Sequence, residues 1–343
     1  MQHLRYNDKT ANGPAAGRES SSSAQSAALG EQGVVHLKID VIIPIYKPDE
    51  GLFTLLDRLL EQSVPIHRII LMNTAREYFD ALIKENEFAH RYPKAEVHHL
   101  DKRDFDHGGT RREAVGYSDA QAFVMMTQDA MPADRHLLER LVEALDGKVA
   151  AAYARQLPDA ASSVFEKASR HFNYPEASRV KTLEDLEGMG VKAFFCSNVC
   201  AAYRRDIYDE LGGFVRRAIF NEDMIYAAGA LQAGYGIAYE ARARVIHSHN
   251  YSNLQQLRRN FDLGVSQARH PEVFGLAASE SEGMRFVKGT WSYLVEKGQP
   301  HRFPGFCVQC AFKYAGYLLG KHYESLPRFL VLHLTTNREY WQK

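Results

Sequence analysis

No stretch of this chain stays apolar for the ~18 residues that a bilayer-crossing helix needs, so nothing in it reads as a membrane span. The opening residues are polar and show no secretory pattern. Cysteine is scarce. Cys196, Cys200, Cys307 and Cys310 are too few for a disulfide scaffold in 343 residues, and they fit a reducing, cytoplasmic compartment. A zinc site from Cys196-x3-Cys200 with Cys307-x2-Cys310 is disfavoured, because cysteines four apart in a strand-like stretch lie too far apart for one ion. Small buried apolar side chains are the better reading. Excess charge of one sign is also missing: Lys+Arg and Asp+Glu number 42 each, which argues against bulk nucleic-acid binding. No Gly-x-Gly-x-x-Gly follows the first strand, and no Gly-x4-Gly-Lys-Ser/Thr occurs. Dinucleotide dehydrogenases and P-loop phosphotransferases are thereby disfavoured.

What the chain does have is an alternation of strand and helix patterns. Residues 1–33 are rich in Ser, Ala, Gly and Gln and read as a disordered leader outside the fold. From Val34 on, a buried strand over 38–46 is expected to end at Pro44. Helical spacing follows at Leu52, Leu55, Leu56, Leu59 and Leu60, then a strand at 68–74, a helix over 76–91 and a strand at 96–100. A helix over 111–120, a strand over 122–127, a helix over 134–145 and a strand at 149–153 complete the pattern. This predicts an α/β fold, a doubly wound and mostly parallel sheet with helices on both faces. Right-handed crossovers then align the strand carboxyl ends along one edge, gathering Pro44, Tyr46, Asn73, Asp101 and Asp129.

That edge is where open α/β sheets place ligands. The apolar run Ala122–Met126 breaks into Thr127-Gln128-Asp129, which sets a carboxylate where a metal ion can meet a phosphate; alone, it reads equally as a loop acid capping the next helix. Gly108-Gly109 let a backbone approach a ligand, Thr110 can cap the following helix, and Arg111 adds charge, although an ordinary capped turn has the same pattern. Glu222 and Asp223 open a helical pattern, where the helix dipole alone would favour acids. His247 and His249 close a short strand and point to one side. Each feature alone is unremarkable chemistry. Together, one acid at a strand end, two at a helix start and a histidine pair make a coherent metal-plus-base site.

With these residues in place, Val41–Tyr46, Thr127-Gln128-Asp129-Ala130, Leu211-Gly212-Gly213-Phe214 and Asn221-Glu222-Asp223 resemble the successive motifs of family 2 glycosyltransferases. Phe105-x-His107-Gly108-Gly109-Thr110-Arg111 and His247-Ser248-His249 resemble its rhamnosyltransferase-like subgroup in particular. The resemblance covers about residues 38–262. It implies a GT-A fold and inverting transfer from a nucleoside diphosphate sugar, dTDP-rhamnose being favoured over a UDP-sugar, to a glycan or lipid-linked acceptor. Asp223 would be the base and Glu222 its supporting acid. Asp129, with His247 or His249, would hold Mg²⁺ or Mn²⁺, although the first acid of the family's Asp-x-Asp motif is Thr127 here. Pro44, Tyr46 and Asn73 would line the base and ribose pocket. Arg103, His107, Gly108, Gly109 and Arg111 would surround the diphosphate and donor sugar, with Gln128 beside them and Asn198 near the acceptor. The rivals are a catalytically idle nucleotide-sugar-binding scaffold and a nucleotidyltransferase. The latter would need a Gly-rich, basic loop after the first strand, which Tyr46-Lys47-Pro48-Asp49 does not supply.

A catalytic domain over 34–262 and a helical region over 263–343 are expected. Residues 301–343 carry six Lys+Arg against two acids, and Phe303, Phe306, Phe312, Tyr314, Tyr317, Leu318, Leu319 and Tyr323 are spread among them. Such helices suit the inner face of a membrane, where lipid-linked acceptors reside; they equally suit packing on the catalytic domain or on a second subunit as a homodimer. Every expected donor contact lies between Pro44 and His249, so loss of 301–343 is expected to spare nucleotide binding.

Overall fold

The computed structural model describes residues 37–83, 85–276 and 280–342, so the leader expected over 1–33 lies outside the described residues. The chain runs β1 (Ile39–Tyr46), α1 (Gly51–Leu60), β2 (Arg68–Thr74), α2 (Arg76–Leu82), α3 (Glu85–Arg91), β3 (Ala95–Leu100), α4 (His107–Gly116), β4 (Ala122–Met126) and β5 (Met131–Pro132). It continues with α5 (Leu137–Glu143), β6 (Val149–Leu157), α6 (Val164–Asn173), β7 (Arg179–Lys181), α7 (Asp185–Met189), β8 (Cys200–Arg204), α8 (Arg205–Glu210), α9 (Glu222–Gln232) and β9 (Gly236–Ile246). Five helices close it: α10 (Asn253–Arg269), α11 (Pro271–Phe274), α12 (Glu280–Glu296), α13 (Phe303–Lys321) and α14 (Arg328–Leu334).

The strands form one sheet in the order β3-β2-β1-β4-β8-β6-β9-β5, with β7 added against β9. β1 to β4 are parallel, as the alternation predicts. In the second half the sheet is mixed: β8 runs antiparallel to both β4 and β6, while β9 is parallel to β6. Two reversals cancel, so β4 and β9 point the same way and their carboxyl ends emerge on one edge. The amino end of β8 emerges there too. Alternation along the strands feeds two cores, one on each face. Val124 and Met126 of β4 pack with Cys200 and Ala202 on one face, and Phe123 and Met125 with Ala201 and Tyr203 on the other.

Several local expectations are corrected. β1 passes through Pro44 to Tyr46, because its ladder to β4 stops at Ile42 and Pro44 is paired on one side only, where a missing N–H is tolerated. The helix expected over 76–91 breaks at Ile83, whose backbone is extended. Helix α4 starts at His107 rather than 111: Asp106 is its cap, accepting from Gly109 N at 2.7 Å, while the Thr110 hydroxyl accepts from Asp106 N. Cys196 lies in the loop before β8 and belongs to one core while Cys200 belongs to the other, which removes the zinc reading.

Residues from Leu37 onward form one compact unit. The boundary expected at 262/263 falls inside α10, whose buried Phe261 and Val265 straddle it and pack with Ile219, Val331 and Tyr340. Helices α10 and α13 meet backbone to backbone: a Cβ at Gly316 or Gly320 would lie 2.1 Å from the carbonyl oxygen of Leu257 or Phe261. Phe306 of α13 is fully buried against Phe165 of α6 and Phe286 of α12, whereas Val308, Phe312, Tyr314 and Leu318 remain exposed. Among the described residues no helix is long and apolar enough to cross a membrane.

Candidate functional site

The strand-end edge opens into a cavity of about 410 Å³. At one side the turn after β4 presents Asp129, and the end of β9 presents His247 and His249. The Asp129 carboxylate lies 3.5 Å from His247 Nε2 and 3.1 Å from His249 Nε2, and the two Nε2 atoms are 3.0 Å apart. Burial would raise the Asp129 carboxyl, but the two imidazoles beside it, with Thr127, outweigh that and hold it well below the usual carboxylate range. His247 is buried, and burial lowers its pKa against the pull of Asp129. Its Nδ1 donates to Gln156 Oε1 at 3.0 Å, which leaves Nε2 as an electron-pair donor. Gln156 is itself fixed: its Oε1 accepts from Arg170 and its Nε2 donates to Ser197 Oγ at 2.9 Å. Three ligand atoms converge within 4.8 Å of one another, two imidazole nitrogens and one carboxylate oxygen. This donor set fits a divalent cation.

Across the cavity, α9 begins with two acids in different surroundings. Asn221 sits in the left-handed region at φ 64°, a conformation Asn tolerates, and turns the chain into the helix. Glu222 is buried, 3.2 Å from Arg111 Nε, and accepts from Asn198 Nδ2 at 2.9 Å. Burial opposes its charge, but Arg111 and His107 outweigh that, and its pKa falls. Asp223 accepts from the backbone N–H of Asn198 and of Met224, at 2.9 and 2.8 Å. Burial, then the neighbouring Glu222 charge, push the Asp223 carboxyl up to about 7. One acid is committed as an anion, and the other is poised near neutrality to take a proton.

Of the residues expected at the site, Asp129, His247, His249, Asn198, Glu222, Asp223, His107 and Arg111 line this cavity. Tyr46 lines a smaller neighbouring hollow with His107. The others do different work. Asn73 is fully buried at the end of β2 and bonds His99 Nδ1 at 2.9 Å. Gln128 spends both amide atoms on the backbone of Tyr46, at 2.9 and 3.0 Å, bracing β1 against the turn that carries Asp129. Arg103 is largely exposed and paired with Asp101 and Asp104. Gly108 and Gly109 serve packing: a Cβ there would lie 2.4 Å from Val215 O and 2.8 Å from Arg216 O. Pro44 is half-buried within β1 and lines neither hollow.

Sequence reading missed Gln156, Arg170, Glu166, Arg259 and Lys313, all at the cavity wall. Lys313 comes from α13, and Thr336, Asn337 and Glu339 line the smaller hollow with Tyr46. The C-terminal region therefore contributes to the walls of the cleft. No local pattern announces these residues, because long-range pairings such as Lys102–Glu339 at 2.9 Å bring them there.

Comparison with known proteins gives the family. The model of Glycosyl transferase family 2 matches residues 40–212. The chain is 37% identical over 310 residues to the O-antigen chain rhamnosyltransferase RfbN of Salmonella typhimurium, covering 89% of this chain and 96% of that protein. It is 40% identical over 247 residues to the O-antigen chain rhamnosyltransferase WbaN of Salmonella anatum, covering 71% and 78%. Among solved structures, the mannosyltransferase PcManGT from Pyrobaculum calidifontis, in complex with GDP-Man and Mn²⁺, superposes with a TM-score of 0.60 at 14% identity, covering 85% of this chain and 89% of that one. That likeness concerns the fold, which is GT-A. The chain belongs to glycosyltransferase family 2 and is an inverting glycosyltransferase; the idle-scaffold reading is not favoured.

Proposed function

We propose that this glycosyltransferase moves a rhamnose-like deoxysugar from a dTDP donor to a hydroxyl of a lipid-linked glycan, with Asp223 as general base. The single observation that carries the reading is that a poised carboxyl and an Asp-His-His cluster open on one cavity of about 410 Å³. Inversion needs a base on the face of the sugar opposite the leaving nucleotide. Asp223 takes the acceptor proton as that oxygen attacks the anomeric carbon, and the bond to the diphosphate oxygen breaks with its electron pair. Glu222, held by Arg111 and Asn198, keeps negative charge beside Asp223 and so maintains its basicity. Asp129, His247 and His249 would hold a divalent cation, Mn²⁺ in preference to Mg²⁺, which when bound supplies positive charge to the departing diphosphate.

Rhamnose and an O-antigen type of acceptor are supported by the named activities of the two Salmonella relatives. Work at the inner face of a membrane is supported by the exposed Phe312, Tyr314 and Phe329 on helices α13 and α14. A donor panel tests the reading. dTDP-rhamnose should raise Tm in the presence of Mn²⁺ more than UDP- or GDP-hexoses and be the donor turned over. Turnover of a different donor only would replace the sugar assignment.

A further inference from the structure

The C-terminal segment returns to the cleft and is locked there. Asp262 of α10 is almost fully buried and accepts from Thr335 Oγ1 at 2.7 Å, from Thr336 N at 2.8 Å and from the Thr336 hydroxyl. Beyond it, Arg269 donates to Tyr340 Oη at 2.7 Å and Arg217 to Tyr340 O at 2.6 Å. Between these anchors lies Asn337. Its N–H reaches Thr335 Oγ1 at 3.1 Å, and its Oδ1 accepts from Tyr340 N at 3.2 Å. Its Nδ2 is buried with no hydrogen-bond partner. A buried amide donor left unpaired costs about 1–3 kcal/mol, a cost that an acceptor arriving in the adjoining hollow would remove. The hollow it lines, about 210 Å³, also has Tyr46, Thr74, Phe105 and Glu339 on its walls and adjoins the catalytic cavity across His107. The ion pair of Lys102 and Glu339 is part of its lining.

We propose that Thr336 to Glu339 form the far wall of the nucleoside pocket and that the Asn337 carboxamide donates to an acceptor oxygen of the donor nucleoside. This rests on the nucleotide-sugar reading of the cleft. The strand ends carrying Tyr46 and Thr74 face one side of the bound nucleoside, and the chain terminus faces the other. Asn337 thereby becomes a selectivity residue some 290 positions from Tyr46 in sequence.

Calorimetric titration of the full chain in Mn²⁺ with dTDP, UDP and inorganic pyrophosphate tests this. In Asn337→Asp, which keeps the shape and removes the donor, nucleotide affinity should fall at least about tenfold while pyrophosphate affinity stays within about twofold. A fall for dTDP and UDP together places the acceptor on a group both share, a base carbonyl or the 3′ oxygen; a fall for UDP alone identifies the ribose 2′ oxygen. Asn337→Ala removes the donor without adding charge near Asp262, and is read in place of the first variant if that one does not fold. Nucleotide binding unchanged in the folded variant, or lost equally with pyrophosphate, overturns the assignment. A wild-type chain that binds pyrophosphate but neither nucleotide would instead overturn the nucleotide-sugar reading, and this inference with it.

Discussion

Asp129 and Asp223 line the same cavity, yet one carboxyl is held well below its ordinary range and the other is pushed up to about 7. The difference comes from what each faces. Asp129 is partly exposed and met by two imidazoles. Asp223 is half-buried beside a second carboxylate whose own countercharge, Arg111, is already taken. A carboxylate that is to hold a cation must stay ionised at every working pH, whereas a general base must be able to change state. The same side chain can serve both proposed ends because its neighbours differ.

The largest expected effect breaks the base end. Asp223→Asn should lower the transfer rate by about 10²–10⁴-fold and leave donor affinity nearly unchanged. Initial rates alongside calorimetry check it, and activity within a few-fold of wild type would remove Asp223 from the mechanism. Next, Gln156→Ala frees the His247 ring to turn and adopt the other tautomer. Mn²⁺ affinity should drop about 10–100-fold, read by metal titration followed by EPR, with the pH profile of transfer unmoved.

The pH profile sharpens the contrast. Wild-type kcat/KM should fall as pH drops below about 7, where Asp223 becomes protonated. Glu222→Gln removes one of the charges that raise Asp223, so the acid limb should move to lower pH even if the rate maximum declines. A limb that stays put, or moves upward, would mean that Glu222 does not set the Asp223 pKa.

The smallest effect is on stability. The Asp223 pKa in the folded chain lies above its unfolded value, so its contribution is fully present below about pH 4 and is lost as pH rises through about 7. Asp223→Asn should therefore have a higher Tm than wild type at alkaline pH, with the gap closing as pH falls towards 4. Thermal melts across that range show it, and equal melting at every pH would mean that Asp223 carries no buried-charge penalty.

The parts of this site that were legible in the sequence share a physical reason. Asp129, His247 and His249 sit at the ends of apolar strands, and Glu222 and Asp223 at the start of an apolar helix, so local periodicity places each on the ligand edge. What that periodicity lacked was the direction of β8. Its reversal, twice over, aligns β9 with β4 and brings the histidines to Asp129. Gln128 looked like a ligand contact because of its place beside Asp129, but its amide is spent on the Tyr46 backbone. Gly108 and Gly109 looked like a ligand cradle, and their space is taken by the backbone of Val215 and Arg216. The largest omission was the chain terminus, whose pairing with Lys102 and Arg217 spans more of the sequence than any local pattern reports.

The most direct measurement of the two-ended account is the affinity of dTDP for Asp129→Ala and Asp223→Asn, each with Mn²⁺ and with EDTA. Asp129→Ala should bind dTDP equally weakly in both conditions, having lost the metal-dependent share. Asp223→Asn should keep the full wild-type difference between Mn²⁺ and EDTA. A metal-dependent gain that survives in Asp129→Ala, or disappears in Asp223→Asn, would contradict the division of the cavity into a cation end and a base end.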